Sequence, residues 1–575
     1  MQALPIPPLS QTLKRFVIGI SPLLDNKQAQ QTQQAVENFE QNGGQLLQQR
    51  LKEYANTQTN KGLSWLTELK LNEYLSDTRP KSITNNASLQ LDYPMAKTGE
   101  TSSLSHAASL IHRLVRLHID YINDDVPQPV DGRNQPISMY NWRILTGAMR
   151  IADHSNAGTG DYYYYAPKQT ANRHISIFWQ GHHFCLQVTD TDGNIYATSA
   201  IEDALRQLTE GNYAKPEFNF SALSALDSNK TATYLTELCQ QSHNQLTYDA
   251  LKDSLFCFAP YHSGAEDVVQ IKEQTFMPGN AWQYKPNTYQ MDLDSDYVAI
   301  HFEHSEIDGA ALMHMFTYAF GLALNSTKLA KGTPSLTQLD WQLESDIASR
   351  IQQDIQAVSA QADQLNVKQC TANYTDIAIK ASHDALMQFA LIYAQLKVFG
   401  KVRHTYEAVD TSHFMAGRTE GLRPNSAEAI NLAQSLLKNN ASLEQLQAAL
   451  AAHKQRVIAC KTGQAFDRHL SGLKYMIKAE DNDASVSAFF DSPGYKVLTA
   501  GDFLSTSSMG VQSPVKRILF APVMKGGFGV NYSLDDKNYE FVLFADQDSS
   551  PYLSAMCEAC VEAVAKMVAL TQNNS

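Results

Sequence analysis

The chain has 575 residues, 43% of them apolar, enough for two or three large globular domains. Its 46 basic residues are outnumbered by 59 acidic ones, a net charge of -13, which argues against broad binding to nucleic acid or to anionic membranes and requires any anionic ligand to meet a local basic pocket. Seven cysteines in so long a chain are too few and too scattered for a disulfide framework, so a reducing, cytoplasmic setting is expected.

At the start, Pro5, Pro7 and Pro8 interrupt any apolar run in MQALPIPPLSQTLKRF, and no small-residue cleavage site follows; a signal peptide is not expected. Nowhere do apolar residues run for the roughly 18 positions a membrane helix needs. The glutamine-rich stretch from Gln28 to Gln58 reads as helical surface, and Ser105 to Ile122 as one long amphipathic helix. His174 to Thr198 reads as a hairpin followed by a strand, with tight turns at Gln180-Gly181 and Asp192-Gly193. Ile347, Ile351, Ile355, Val358 and Ala362 recur at helical spacing and predict a helix connecting two domains. Arg517 to Asp546 reads as a strand pair in which KGGFG supplies turn glycines. A closing helix follows near Ser554 to Leu570, where Cys557 and Cys560 are expected to pack in a core rather than bind zinc. Strands interleaved with helices imply an α/β architecture.

The most informative string is EHSEIDG, Glu303 to Gly309. DYVAIHF before it alternates like a strand, and AALMHMFTYAFGLAL after it repeats apolar residues like a buried helix. His304 therefore falls where a strand ends and a helix begins, a short junction held by rigid elements. A near-neutral imidazole aimed from such a junction suits a general base. Asp308 orients this imidazole or serves a structural ion pair; Gly309 permits the tight entry into the helix. There is no GxSxG elbow, P-loop, HExxH or strand-borne GxGxxG, and no metal is expected.

Three later strings accompany His304: TYEAVDTSHFMAGRTEGLR from Thr405, FDRHLSGLK from Phe466 and LSTSSMG from Leu504. With LPIPPL, SWLTELKLNEYL and APVMKGGFG, the ordered set resembles the carnitine and choline acyltransferase family, nearest its carnitine O-acyltransferases. The resemblance implies two chloramphenicol-acetyltransferase-like α/β domains with an active-site tunnel at their interface. Residues 1–84 would be an N-terminal helical segment packing with the C-terminal domain, 85–342 the histidine-bearing domain, and 343–575 the second domain with the acceptor-binding residues. It implies acyl transfer from a thioester to an alcohol without an acyl-enzyme, His304 as base and Ser507 as donor to the oxyanion.

In the same resemblance Ser505 and Thr506 line the acceptor site, and Tyr406, Thr419 and Arg468 meet the carboxylate of carnitine or a similar alcohol. Arg418 and Arg423 are read as structural. Asp384 and Lys380 match or neighbour donor-binding positions, but two lysines that meet the coenzyme A phosphate in the family are Asn373 and Ile377 here. NAWQYK and Ser412 depart in the same direction. No cofactor is expected to be tightly bound, and the donor stays open between a coenzyme A thioester and a thioester on an acyl carrier protein; a noncatalytic ligand-binding protein is a third reading. Ile518 leans toward short or medium acyl chains.

Overall fold

The structure, a computed structural model, is described for residues 1–153, 160–216, 219–510 and 514–572. Four helices open the chain: Leu9–Ile20, Asn26–Gln41, Gly43–Asn60 and Thr67–Ser76. The second begins in a capping box. Asp25 accepts from the Gln28 backbone at 2.8 Å, and the Gln28 side chain accepts from the Asp25 backbone at 3.1 Å, so two otherwise unpaired donors are satisfied. One apolar stripe of these helices, including Phe16, Phe39 and Leu51, is buried against Phe466, Leu470 and Phe489 from the far end of the sequence.

The first half carries β1 (Ala87–Leu91), the separately paired β2 (Ala148–Ile151) and β3 (Tyr162–Tyr165), then β4 (His174–Trp179), β5 (His182–Gln187), β6 (Cys257–Tyr261), β7 (Thr288–Asp292), β8 (Val298–Phe302) and β9 (Leu336–Leu339). The second half carries β10 (Asn366–Asn373), β11 (Thr405–Asp410), β12 (Thr419–Leu422), β13 (Leu504–Ser507), β14 (Val515–Leu519), β15 (Phe528–Leu534) and β16 (Asn538–Ala545). Two large sheets result, ordered β14-β1-β8-β7-β6-β4-β5-β9 and β10-β16-β15-β13-β11-β12. Helices Ser103–Ile122 and Gly309–Gly321 share a core with the first sheet. His383–Phe399 and Leu553–Gln572 do so with the second, where Cys557 and Cys560 are buried. The architecture is α/β with two sheet-centred halves.

Several local expectations match the structure. The β4–β5 hairpin turns through Gln180 and Gly181 at φ 51° and 83°, the paired positive values that a two-residue turn needs to follow strand twist. Ser102 and Ser105 cap the long helix reciprocally.

Two other expectations are corrected. No strand follows β5 at Ile195, which makes only isolated bridges to Thr189 and Leu329. β14 and β15 are not partners: β14 leaves its neighbours in sequence and pairs antiparallel with β1, Ile518 opposite Leu89, while β15 pairs with β13 and β16. Short-range pattern identifies strands but not their partners. The helix Ser345–Asp363 buries Ile347, Ile351 and Val358 with Phe220 and Trp282 of the first half, and Ala362 near its end with Val542 and Phe544 of the second.

Candidate active site

A cavity of about 1170 Å³ runs between the halves, lined from the first by His304, Asp308 and Gly309 and from the second by Tyr406, Thr419, Ser505 and Ser507. His304 follows β8 and precedes the helix Gly309–Gly321. Its Nδ1 lies 2.6 Å from the carbonyl oxygen of Ile307. A carbonyl only accepts, so in the neutral ring Nδ1 carries the proton and Nε2 keeps its lone pair. The imidazole packs edge-on to Phe302 and against Tyr74, with centroids 5.2 and 5.5 Å away. Burial is the largest influence on its pKa and lowers it; Asp308 opposes this and Arg418 reinforces it, leaving the net shift downward. A neutral ring at physiological pH follows.

The charged residues of EHSEIDG are held from elsewhere in the chain. Glu303 pairs with buried Arg150 at 3.1 Å and accepts from Tyr163 at 2.7 Å. Glu306 accepts from Arg143 at 2.6 Å. Asp308 is gripped by both sides of the Arg418 fork at 2.8 and 3.1 Å, whereas its distance to His304 Nδ1 is 3.9 Å. The orienting partner of the imidazole is thus the Ile307 carbonyl, and the Asp308 carboxylate is committed to an arginine of the other half. Arg418 also donates to the backbone oxygens of Ser305 and His304, so one guanidinium fixes the loop across the interface.

Tyr406, Thr419 and Arg468 come together from β11, β12 and the helix Asp467–Tyr475. Arg468 donates from Nη2 to the Tyr406 hydroxyl at 2.8 Å and from Nε to the Thr419 carbonyl at 3.2 Å. Tyr406 and Thr419 face the cavity, and Arg468 stands behind Tyr406. With the Tyr406 oxygen accepting from Arg468, its own hydrogen is left to point at a ligand. Arg423 is occupied by Asp467 and Asp502 at 2.7 and 2.6 Å.

β13 lies beside β11 with Tyr406 opposite Ser505. Alternation along a strand sends Ser505 and Ser507 to one face and Thr506 to the other. Thr506 also lines the cavity, but its hydroxyl donates to the Tyr406 carbonyl at 2.8 Å and accepts from Gln388 at 2.9 Å, so it is committed within the protein. Among the described residues neither Ser505 nor Ser507 has its hydroxyl engaged, so both remain available to a bound molecule. Asp384 lines the cavity, but its carboxylate is held by His453 at 2.8 Å and Tyr532 at 2.6 Å. Lys380, in the loop that leads into the helix His383–Phe399, is exposed at the same cavity.

Sequence reasoning gave no role to Tyr74, which brings the N-terminal segment against His304, or to Arg143 and Arg150. The first lies within the quoted SWLTELKLNEYL string; the arginines carry no local signal. Among the described residues no group of three or more His, Cys, Asp and Glu side chains is placed to hold a metal ion, and no helix is long and apolar enough to cross a membrane.

A family model described as choline/carnitine O-acyltransferase matches residues 4–559. Carnitine O-palmitoyltransferase 2, mitochondrial, from Bos taurus is 25% identical over 93% of this chain and 86% of its own length. Carnitine O-acetyltransferase from Columba livia is 24% identical over 94% and 88%. Among solved structures, a trichothecene 15-O-acetyltransferase from Fusarium sporotrichioides covers 87% of this chain and 93% of its own at 9% identity and a TM-score of 0.39.

Proposed function

Because the chain belongs to the choline/carnitine O-acyltransferase family and is therefore an acyltransferase, we propose that it moves an acyl group between coenzyme A and the hydroxyl of carnitine, or of a similar alcohol bearing a carboxylate. His304 is the general base and no acyl-enzyme forms. The observation that carries this reading is the hydrogen bond from Nδ1 to Ile307, which leaves Nε2 as a proton acceptor within the cavity.

In the forward direction the alcohol oxygen attacks the thioester carbonyl as its proton passes to Nε2. The oxyanion that develops accepts a hydrogen bond from Ser507, a contribution of about 3 kcal/mol in a site that excludes water. Collapse of the tetrahedral intermediate breaks the carbon–sulfur bond, and the departing thiolate recovers the proton from the imidazolium. Tyr406 and Thr419, backed by Arg468, receive the acceptor carboxylate, which supports carnitine over choline. Asp308 acts at one remove by keeping Arg418 on the loop.

On acyl length, Ile518 lines the cavity, and a Cβ added to Gly309 would meet Met509 Sδ at 3.3 Å and Ile518 Cδ1 at 4.0 Å. Such crowding beside the histidine supports short or medium chains. The test is thiol release from acetyl-, octanoyl- and palmitoyl-coenzyme A, with and without carnitine. Carnitine-dependent release that His304→Ala abolishes is expected, strongest with the two shorter donors. No release from any of them, or transfer only from an acylated carrier protein, overturns the reading.

A further inference from the structure

The site described above brings no positive charge to the phosphates of the donor. Asn373 accepts from the Thr375 backbone and hydroxyl at 3.1 and 2.7 Å and so closes its own turn, and Ile377 packs onto the core of the second sheet. Neither brings positive charge to the cavity.

The helix Leu443–Lys461 supplies it from another direction. Leu450, Lys454, Val457 and Lys461 recur every three or four residues and all line the cavity, so one face of this helix forms its wall. His453 is bonded to Asp384 at 2.8 Å. That bond puts Lys454, the next residue, on one side of a contact whose other side carries Lys380, four residues before Asp384. The acids that share this cavity are already engaged. Asp384 is held by His453 and Tyr532, Glu407 by Tyr532 and Gln388, and Asp410 lies 3.9 Å from Lys461, which also donates to its carbonyl at 3.0 Å. Burial and the neighbouring Asp384 further hold the Glu407 carboxyl far above the usual range. Among the described residues Lys380 and Lys454 have neither a hydrogen bond nor an ion pair. In a chain of net charge -13, two unpaired lysines lining one cavity mark a place for an anion.

Resting on the coenzyme A reading above, we propose that Lys454, together with Lys380, holds the phosphates of the donor, so that the long helix of the second half takes over a task that Asn373 and Ile377 cannot perform. Each ammonium meets phosphate as a point charge rather than a fork, which suits a flexible, solvent-facing contact.

Calorimetric titration of the full chain with coenzyme A, 3′-dephospho-coenzyme A and pantetheine tests this without turnover. Lys454→Glu and Lys380→Glu are each expected to weaken coenzyme A binding by about tenfold, the double variant more, with pantetheine unchanged and Lys454→Arg close to wild type. A smaller loss with the dephospho ligand assigns the contact to the 3′-phosphate, an equal loss to the diphosphate; both support the proposal. Unchanged coenzyme A binding in the double variant, an equal loss for pantetheine, or no coenzyme A binding by the wild type overturns it. Lysine-dependent binding without transfer to carnitine upholds this inference and sinks the proposed acceptor.

Discussion

Two stretches of the same cavity wall are built on opposite principles. In the loop Glu303–Gly309 the three acids are each paired with an arginine more than a hundred residues away, two of these side chains, Arg150 and Arg418, being at most 5% exposed. At the rim formed by Lys380 and Lys454 the charges are exposed and unpaired. A base must hold one geometry against a reacting oxygen, and fixed ion pairs supply it. A phosphate site instead has to release its ligand after every turnover, and solvated lysines allow that. The contrast separates groups that position from groups that attract.

The largest effect is expected from Arg418→Ala, which would give the loop the looseness of the rim. It leaves Asp308 buried without a partner, a loss of about 3–5 kcal/mol, and it frees the carbonyls of Ser305 and His304. Chemical denaturation should show the lost stability, and kcat should fall by about a hundredfold. Pairing it with Asp308→Ala should recover part of the stability but not the rate; recovery of both would mean that the ion pair does not position His304.

Next in size is Arg468→Ala, which separates the acceptor pocket from both regions. The KM for carnitine should rise by about ten- to a hundredfold, while the KM for acyl-coenzyme A stays within twofold of wild type. A matching rise in both would show that Arg468 supports the fold rather than the carboxylate.

The smallest effect is one of pH. Because burial lowers the His304 pKa, kcat/KM should climb with pH to a plateau whose inflection lies below 6.5, the ordinary value for histidine. Stability follows the same sign. His118, His183, His301 and His469 are each pushed down to about 3 by burial. The unfolded chain therefore binds protons that the folded one refuses, and the melting temperature should hold above pH 6.5 and decline progressively as pH falls toward 3. An inflection above 7 in the rate profile would remove His304 as the free base.

The strand-to-helix junction at His304 was legible because periodicity changes from two to three or four within a few residues, a purely local signal. So were the helix Ser103–Ile122 and the β4–β5 turn, whose caps and turn residues sit beside what they cap. Ser507, Tyr406, Thr419 and Arg468 are nominated only through resemblance, since a lone serine or arginine on a strand or helix has no distinguishing pattern. Tyr74, Arg143, Arg150 and Lys454 were missed: what makes each of them matter is a neighbour brought close by folding.

By itself, then, the sequence determined that this is a large α/β acyltransferase with one histidine at a structural junction, because composition, periodicity and ordered motifs are properties of the chain. Only the tertiary structure decided that Asp308 belongs to Arg418 rather than to His304, that the Thr506 hydroxyl is tied to Tyr406 and Gln388, that β14 crosses to the first sheet, and that a helix near residue 454 lines the cavity. Each of these depends on which of many distant partners wins a buried charge, a hydroxyl or a sheet edge. That competition is settled by packing in three dimensions, where unpaired buried groups are too costly to keep.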